Sequence, residues 1–169
     1  QGNTLVRMSA LDDGFAPTNL ILNGQTTDTY RTTAANVVPD GTDLAVNTAT
    51  YDLNGFSDTI HALTGNGTVD NSAAGATTLT VASGSFSGVL TDSGTSTLAL
   101  TKTTGGTLTL NNASTYSGQT TVNQGTLLVN NSLLSPAGTI SFAPYRTGAL
   151  AANPVTDRVY AAKEDWPGI

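Results

Sequence analysis

The chain contains no cysteine, which excludes disulfides, thiolate nucleophiles and Cys-ligated zinc together. Charge is nearly as scarce. Only 11% of the 169 residues are charged, where a soluble domain usually has about a quarter. There are two lysines, Lys102 and Lys163, and no basic run. Twelve acidic residues against six basic ones give a net charge of −6. Phosphate backbones are held by clustered Lys and Arg, so nucleic acid is a poor partner for this surface. A single histidine (His61), a single Glu (Glu164) and a single Trp (Trp166) leave little material for acid–base chemistry. No apolar run reaches the length of a membrane-spanning helix, and membrane insertion is not expected. No stretch reads as a signal peptide, and Gln1 is compatible with a residue left by signal cleavage.

What replaces the missing charge is Thr, Ser, Asn and Gly, while hydrophobic residues hold an ordinary 38%. Such a chain buries a core instead of staying disordered, because aliphatic and β-branched residues recur along its whole length. The clearest order lies between Lys102 and Asn131. There Gly106-Thr107-Leu108-Thr109-Leu110 returns 19 residues later as Gly125-Thr126-Leu127-Leu128-Val129, and an Asn pair follows each copy. Alternation of Leu or Val with Thr predicts half-buried strands, with Gly and Asn at the corners. A period near 20 is too short for a domain and right for one coil of a solenoid.

The same rhythm runs upstream. Leu20-Ile21-Leu22 ends in Asn23-Gly24, a strong turn pair, and Pro39-Asp40-Gly41 forms another. Short apolar phrases then follow at Leu44-Ala45-Val46, Tyr51-Asp52-Leu53, Ile60-His61-Ala62-Leu63, Thr68-Val69, Leu79-Thr80-Val81 and Leu98-Ala99-Leu100. No helix is expected before residue 143. Strict alternation puts Ile60 and Ala62 on one side of their strand and His61 and Leu63 on the other. Residues 1–18 and 143–169 depart from the pattern, and Ala149–Asn153 and Val159–Asp165 each suit either a helical turn or a strand. The expected organisation is an N-terminal cap or docking segment (1–18), a repeat region (19–142) and a C-terminal tail (143–169).

Candidate sites are few. His61 has no sequence neighbour that makes it a catalytic base, and a Gly-x-Ser-x-Gly elbow is absent. Asp12-Asp13 and the Asp40–Asp43 stretch offer oxygen ligands but match neither the EF-hand loop nor the calcium nonapeptide; no metal and no cofactor is expected. Tyr30, Tyr51, Phe56 and Tyr116 either stack in the core or form a sugar platform. Asn71, Asn111-Asn112 and Asn130-Asn131 are expected to form corner ladders from coil to coil.

The phrases Gly106 to Leu110, Asn112 to Gly118, Thr120-Thr121-Val122 and Gly125 to Val129 resemble the passenger-associated β-strand repeat of autotransporters. Upstream, Asn36 to Gly41, Tyr51 to Phe56, Leu63 to Val69 and Phe86 to Leu90 resemble phrases of the same large bacterial surface proteins. The resemblance covers roughly Asn19 to Ser132. It implies a right-handed parallel β-helix, located outside the cell or on the bacterial surface, in a non-enzymatic stalk or adhesive part. Autotransporters also carry a membrane β-barrel, which this sequence does not display. Two functions follow. One is a structural subunit that joins head to tail into a fibre or surface layer, with Tyr145, Arg146, Arg158, Tyr160 and Trp166 of the tail as self-assembly contacts. The other is a fragment of an adhesin passenger that binds glycan or a host surface. A polysaccharide lyase on the same fold needs an Arg/Lys/Asp cluster, and the repeat region offers only Arg31 and Lys102.

Overall fold

The computed structural model describes residues 4–9, 17–130, 140–142, 150–153 and 158–161, where sixteen strands occur and no helix. Nearly every strand pairs in parallel with the one a coil earlier and the one a coil later, so the chain winds as a parallel β-solenoid of about six turns. Three walls enclose its core. The first wall is a five-stranded sheet of β1 (Leu5–Met8), β3 (Thr29–Thr32), β5 (Thr50–Asp52), β7 (Thr68–Asn71) and β9 (Val89–Asp92). The third wall holds β2 (Asn19–Asn23), β4 (Asp43–Asn47), the later halves of β6 (Asp58–Gly65) and β8 (Gly75–Phe86), β11 (Thr107–Leu110) and β13 (Thr126–Val129). Between them, the second wall is built from the early halves of β6 and β8, with β10 (Ser96–Lys102), β12 (Thr120–Val122) and β14 (Ile140–Phe142).

Stacking in register turns the sequence alternation into interior columns. On the third wall Leu20, Leu44, Leu63, Gly84, Leu108 and Leu127 lie one above another, as do Leu22, Val46, Gly65, Phe86, Leu110 and Val129. Tyr51, Val69 and Leu90 form the matching column of the first wall, and Leu79 and Leu100 belong to the second. All of these except the partly buried Leu20 and the two glycines belong to one buried apolar core. Each large aliphatic side chain so buried contributes roughly 1.5–3 kcal/mol, which makes the columns the main source of stability.

The two glycines in the columns have a steric cause. Gly84 has φ 132°, and a Cβ there would lie 2.2 Å from the Leu63 carbonyl oxygen on the preceding coil. Gly65 has φ 100°, with the Val46 oxygen at the same 2.2 Å. Backbone approaches backbone too closely at both places for any side chain.

One expectation from alternation is overturned here. Ile60 and Leu63 are both buried, and His61 is exposed. Ile60 pairs with Val81 and Ala62 with Ser83, while His61 sits at the bend between them. The strand turns a corner from the second wall to the third, and the corner re-phases which side chains point inward. At the corresponding place in β8, Val81 and Ala82 are both buried.

The two ends differ. β1 and β2 each have a single strand partner among the described residues, and Leu5 (47%) and Ile21 (57%) are exposed there. At the other end β15 (Leu150–Asn153) and β16 (Arg158–Ala161) form an antiparallel pair, and β16 lies antiparallel to β13 through Leu128 and Tyr160. Both segments left open between helical turn and strand are therefore strands where they are described.

Candidate functional surface

The polar residues sort by the corner they occupy. Between the first and second walls stand Asp52, Asp70 and Asp92, on successive coils. Each accepts from a serine of the following coil: Asp52 from Ser72 Oγ at 2.7 Å, Asp70 from Ser93 Oγ at 2.9 Å, Asp92 from Ser117 Oγ at 2.7 Å. Arg31 closes the column at one end, its Nε 2.7 Å from Asp52 Oδ2. Asp70 Oδ1 is buried without a hydrogen-bond partner among the described residues. Desolvation raises the Asp70 pKa above the ordinary value, and the neighbouring Asp52 and Asp92 charges add to the rise.

Two further ionisable groups lie inside. Tyr51, in the first-wall column, donates its hydroxyl to Asp58 Oδ2, and both residues are buried. Val38 N–H and Thr59 N–H also donate to Asp58. Burial raises the Asp58 pKa, and burial together with the Asp58 charge raises that of Tyr51 well above the usual phenol. Lys102 is fully buried in the column Val81–Lys102–Val122. Its ammonium donates to the main-chain carbonyls of Thr103 (2.5 Å), Thr104 (2.9 Å) and Gln124 (3.2 Å) at the next corner. Desolvation lowers its pKa. The sequence marks these groups only as scattered charges, and their inward placement follows from register.

These placements decide what the candidates can do. Arg31 is paired with Asp52 through Nε, and the Lys102 ammonium is turned inward onto main-chain carbonyls, so Lys102 is not presented to an acidic sugar. His61 Nδ1 lies 2.6 Å from Asp43 Oδ1 as an exposed surface pair. Asp43 thus has a partner; Asp12 and Asp13 lie outside the described residues. No group of three metal-ligating side chains occurs among the described residues.

Of the aromatic set, Tyr51 and Tyr116 are buried, Tyr30 is partly buried against the core, and Phe56 is exposed at 36%. Four residues so divided make no stacking platform. Tyr116 bonds to Thr120 inside the coil, and burial pushes its phenol up to about 12.

The Asn residues divide as well. Asn130 Nδ2 donates to Asn111 Oδ1 at 2.7 Å, and Asn47 Nδ2 to Asn23 Oδ1 at 3.0 Å, which are the corner ladders expected of amides. Asn71 is instead buried and clasps the carbonyls of Gly75 and Thr97. Asn112 caps its own turn at Ala113 N–H, a correction to its ladder role. Asn131 lies outside the described residues. So do Tyr145, Arg146 and Trp166 of the tail, while Arg158 and Tyr160 fall on β16.

Taken together, the fold and its corners define a parallel β-solenoid held by apolar columns inside and by Asp–Ser and Asn–Asn ladders at the edges. Residues 100–129, which run from the end of β10 through one full coil and on through β12 and β13 of the next, match the family model described as Passenger-associated-transport-repeat. No curated protein and no solved structure matches the chain.

Proposed function

We propose that this chain is a segment of an autotransporter-type passenger, a β-solenoid displayed outside the cell as a non-catalytic stalk whose flanks contact glycan or a host surface. The observation that supports it is the matched repeat itself: residues 100–129 span one coil and the β12 and β13 strands of the next, and the coils before them continue the same columns and the same pairing. The non-catalytic part of the reading is supported by the burial of Lys102 in structural bonds, which leaves Arg31 without a basic neighbour in the repeat region. The test is to place the chain between a signal peptide and an autotransporter barrel and to probe intact cells with protease and antibody. Surface exposure that is lost on deleting residues 106–125 supports the reading; a chain retained inside the cell overturns it. Binding of the folded chain to a glycan or matrix-protein array then tests the adhesive part.

A fibre or surface-layer subunit is the second reading. Its support is the first coil, where β1 and β2 carry exposed Leu5, Val6 and Ile21 beside strand edges with one partner among the described residues. Unpaired edges are templates for another chain. Against continuous head-to-tail growth stands β16, which lies along β13 within the same chain. Sedimentation at rising concentration separates the readings: open-ended growth supports the fibre, and an invariant monomer the stalk.

A further inference from the structure

The outward side of the second wall carries an ordered row that the reading above does not use. Thr59 pairs with Thr80, Thr80 with Thr101 and Thr101 with Thr121, so four threonines occupy one row on four successive coils. Backbone pairing continues the row to Ser141. Strand spacing sets its step at about 4.8 Å. Beside it run Thr78 and Ala99, then Ala76 and Thr97. All of these outward side chains from Thr59 to Thr121 are half-buried or exposed.

Three properties narrow the occupant. The first is charge. None of these outward residues is ionisable, although the wall is bordered by Asp52, Asp70 and Asp92 at one corner and by the Asp43–His61 pair at the other. A neutral face on a molecule of net charge −6 suits a neutral partner and repels neither sign. The second is chemistry. The face has methyls and hydroxyls and no aromatic ring or guanidinium, which are the groups that hold a sugar ring or a planar carboxylate. The third is freedom. Among the described residues no protein group is hydrogen-bonded to the hydroxyls of Thr59, Thr80, Thr101 or Thr121, whereas Thr104 and Thr115 spend theirs on neighbouring coils.

Threonine is stiff at χ1, so a row of it on paired strands confines the methyls and hydroxyls to a few positions at each step. Water bridging such hydroxyls is held nearly as well as by direct hydrogen bonds, and a solid built of water leaves no hydroxyl unsatisfied. We infer that the second wall is an ice-binding face, with the Thr59–Thr80–Thr101–Thr121 row ordering the water layer that joins protein to crystal. This goes beyond the stalk reading and does not depend on it.

The experiment uses the full chain and slowly grown ice. The wild-type protein is expected to be enriched in the ice fraction and to separate the freezing from the melting temperature. The pair Thr80→Tyr and Thr101→Tyr is expected to abolish both effects, because two rings stand in the middle of the row. The pair Thr64→Tyr and Thr109→Tyr, outward on the third wall, is expected to retain them. Circular dichroism verifies that each variant keeps its β-signal; if the first pair unfolds, Thr121→Lys in the same row replaces it. Exclusion of folded wild-type protein from ice overturns the proposal, as does equal loss from both pairs. Exclusion from ice combined with row-dependent retention on insoluble chitin or β-glucan also overturns it and makes the face a glycan site.

Discussion

The Lys102 ammonium crosses one coil to donate to the main-chain carbonyl of Gln124 at 3.2 Å. Its neighbours on either side in that interior column are Val81 and Val122. The bond ties a corner of one coil to a corner of the next where no strand pairing does so.

Lys102→Met tests whether that tie outweighs the cost of burying an ammonium. Hydrogen bonds to charged groups contribute about 1.5–3 kcal/mol, and three carbonyls lose their donor. The expected result is a loss of roughly 2–4 kcal/mol in urea unfolding. A neutral or stabilising outcome would mean that desolvation of the lysine dominates.

At Gly84 the expectation is more severe. Substitution by Ala combines a strained positive φ with a Cβ 2.2 Å from the Leu63 oxygen, and it should cost about 3 kcal/mol or more. Gly41→Ala is the control, since nothing lies within 4 Å of a Cβ there. A melting temperature for Gly84→Ala close to that of the control would contradict the close coil contact.

Within the matched repeat, Leu108→Ala should cost about 2–5 kcal/mol, because it opens a cavity in the third-wall column. Thr109→Ala, one residue on and facing outward, should stay within about 0.5 kcal/mol. Equal effects at the two positions would argue against the register of β11.

Acid should stabilise this solenoid. Asp58 and Asp70 have folded pKa values raised above 3.8, so the native state binds more protons than the unfolded chain in the window between 3.8 and the raised values. Their contribution is therefore most favourable at the acid end of that window and declines as pH rises through it. Exposed Asp28 is shifted the other way, its carboxylate favoured by Gln25 and Thr4 amides, and opposes the trend only below 3.8. Asp58→Asn keeps an acceptor for Tyr51 and removes the charge, while its NH2 gives up the bond that one carboxylate oxygen accepts from the Thr59 or Val38 N–H, so it should flatten the pH dependence of the urea midpoint. Unchanged pH dependence in that variant would place the effect elsewhere.

Much of the architecture was legible from the chain alone. Leu or Val alternating with Thr, Gly before each phrase and Asn after it mark wall, corner and ladder, and Asn111–Asn130 is the pair that the 19-residue repeat predicts. The bend at His61 was not legible, because no Gly or Pro marks it and the alternation simply changes phase. Nothing in the residues around Asp58 and Lys102 marks either as interior, and register is what places them inside. The Asp–Ser ladder is not legible in the sequence for a related reason. Its partners are separated by 20, 23 and 25 residues, so no fixed spacing announces them.

That unevenness has a consequence for how such a chain tolerates change in length. Along the third wall the steps from Leu20 to Leu44, Leu63, Gly84, Leu108 and Leu127 are 24, 19, 21, 24 and 19 residues. Along the second, from Thr59 to Thr80, Thr101, Thr121 and Ser141, they are 21, 21, 20 and 20. Between Lys102 and Leu108, residues have been added at the corner while the strands beside it kept their length and phase. One residue inserted inside β10 would turn the rest of that strand inside out, whereas several at Thr104–Gly105 only enlarge a loop. Peptide tags and natural length variants belong at the corners, and the second wall is the part of the molecule that editing should leave alone.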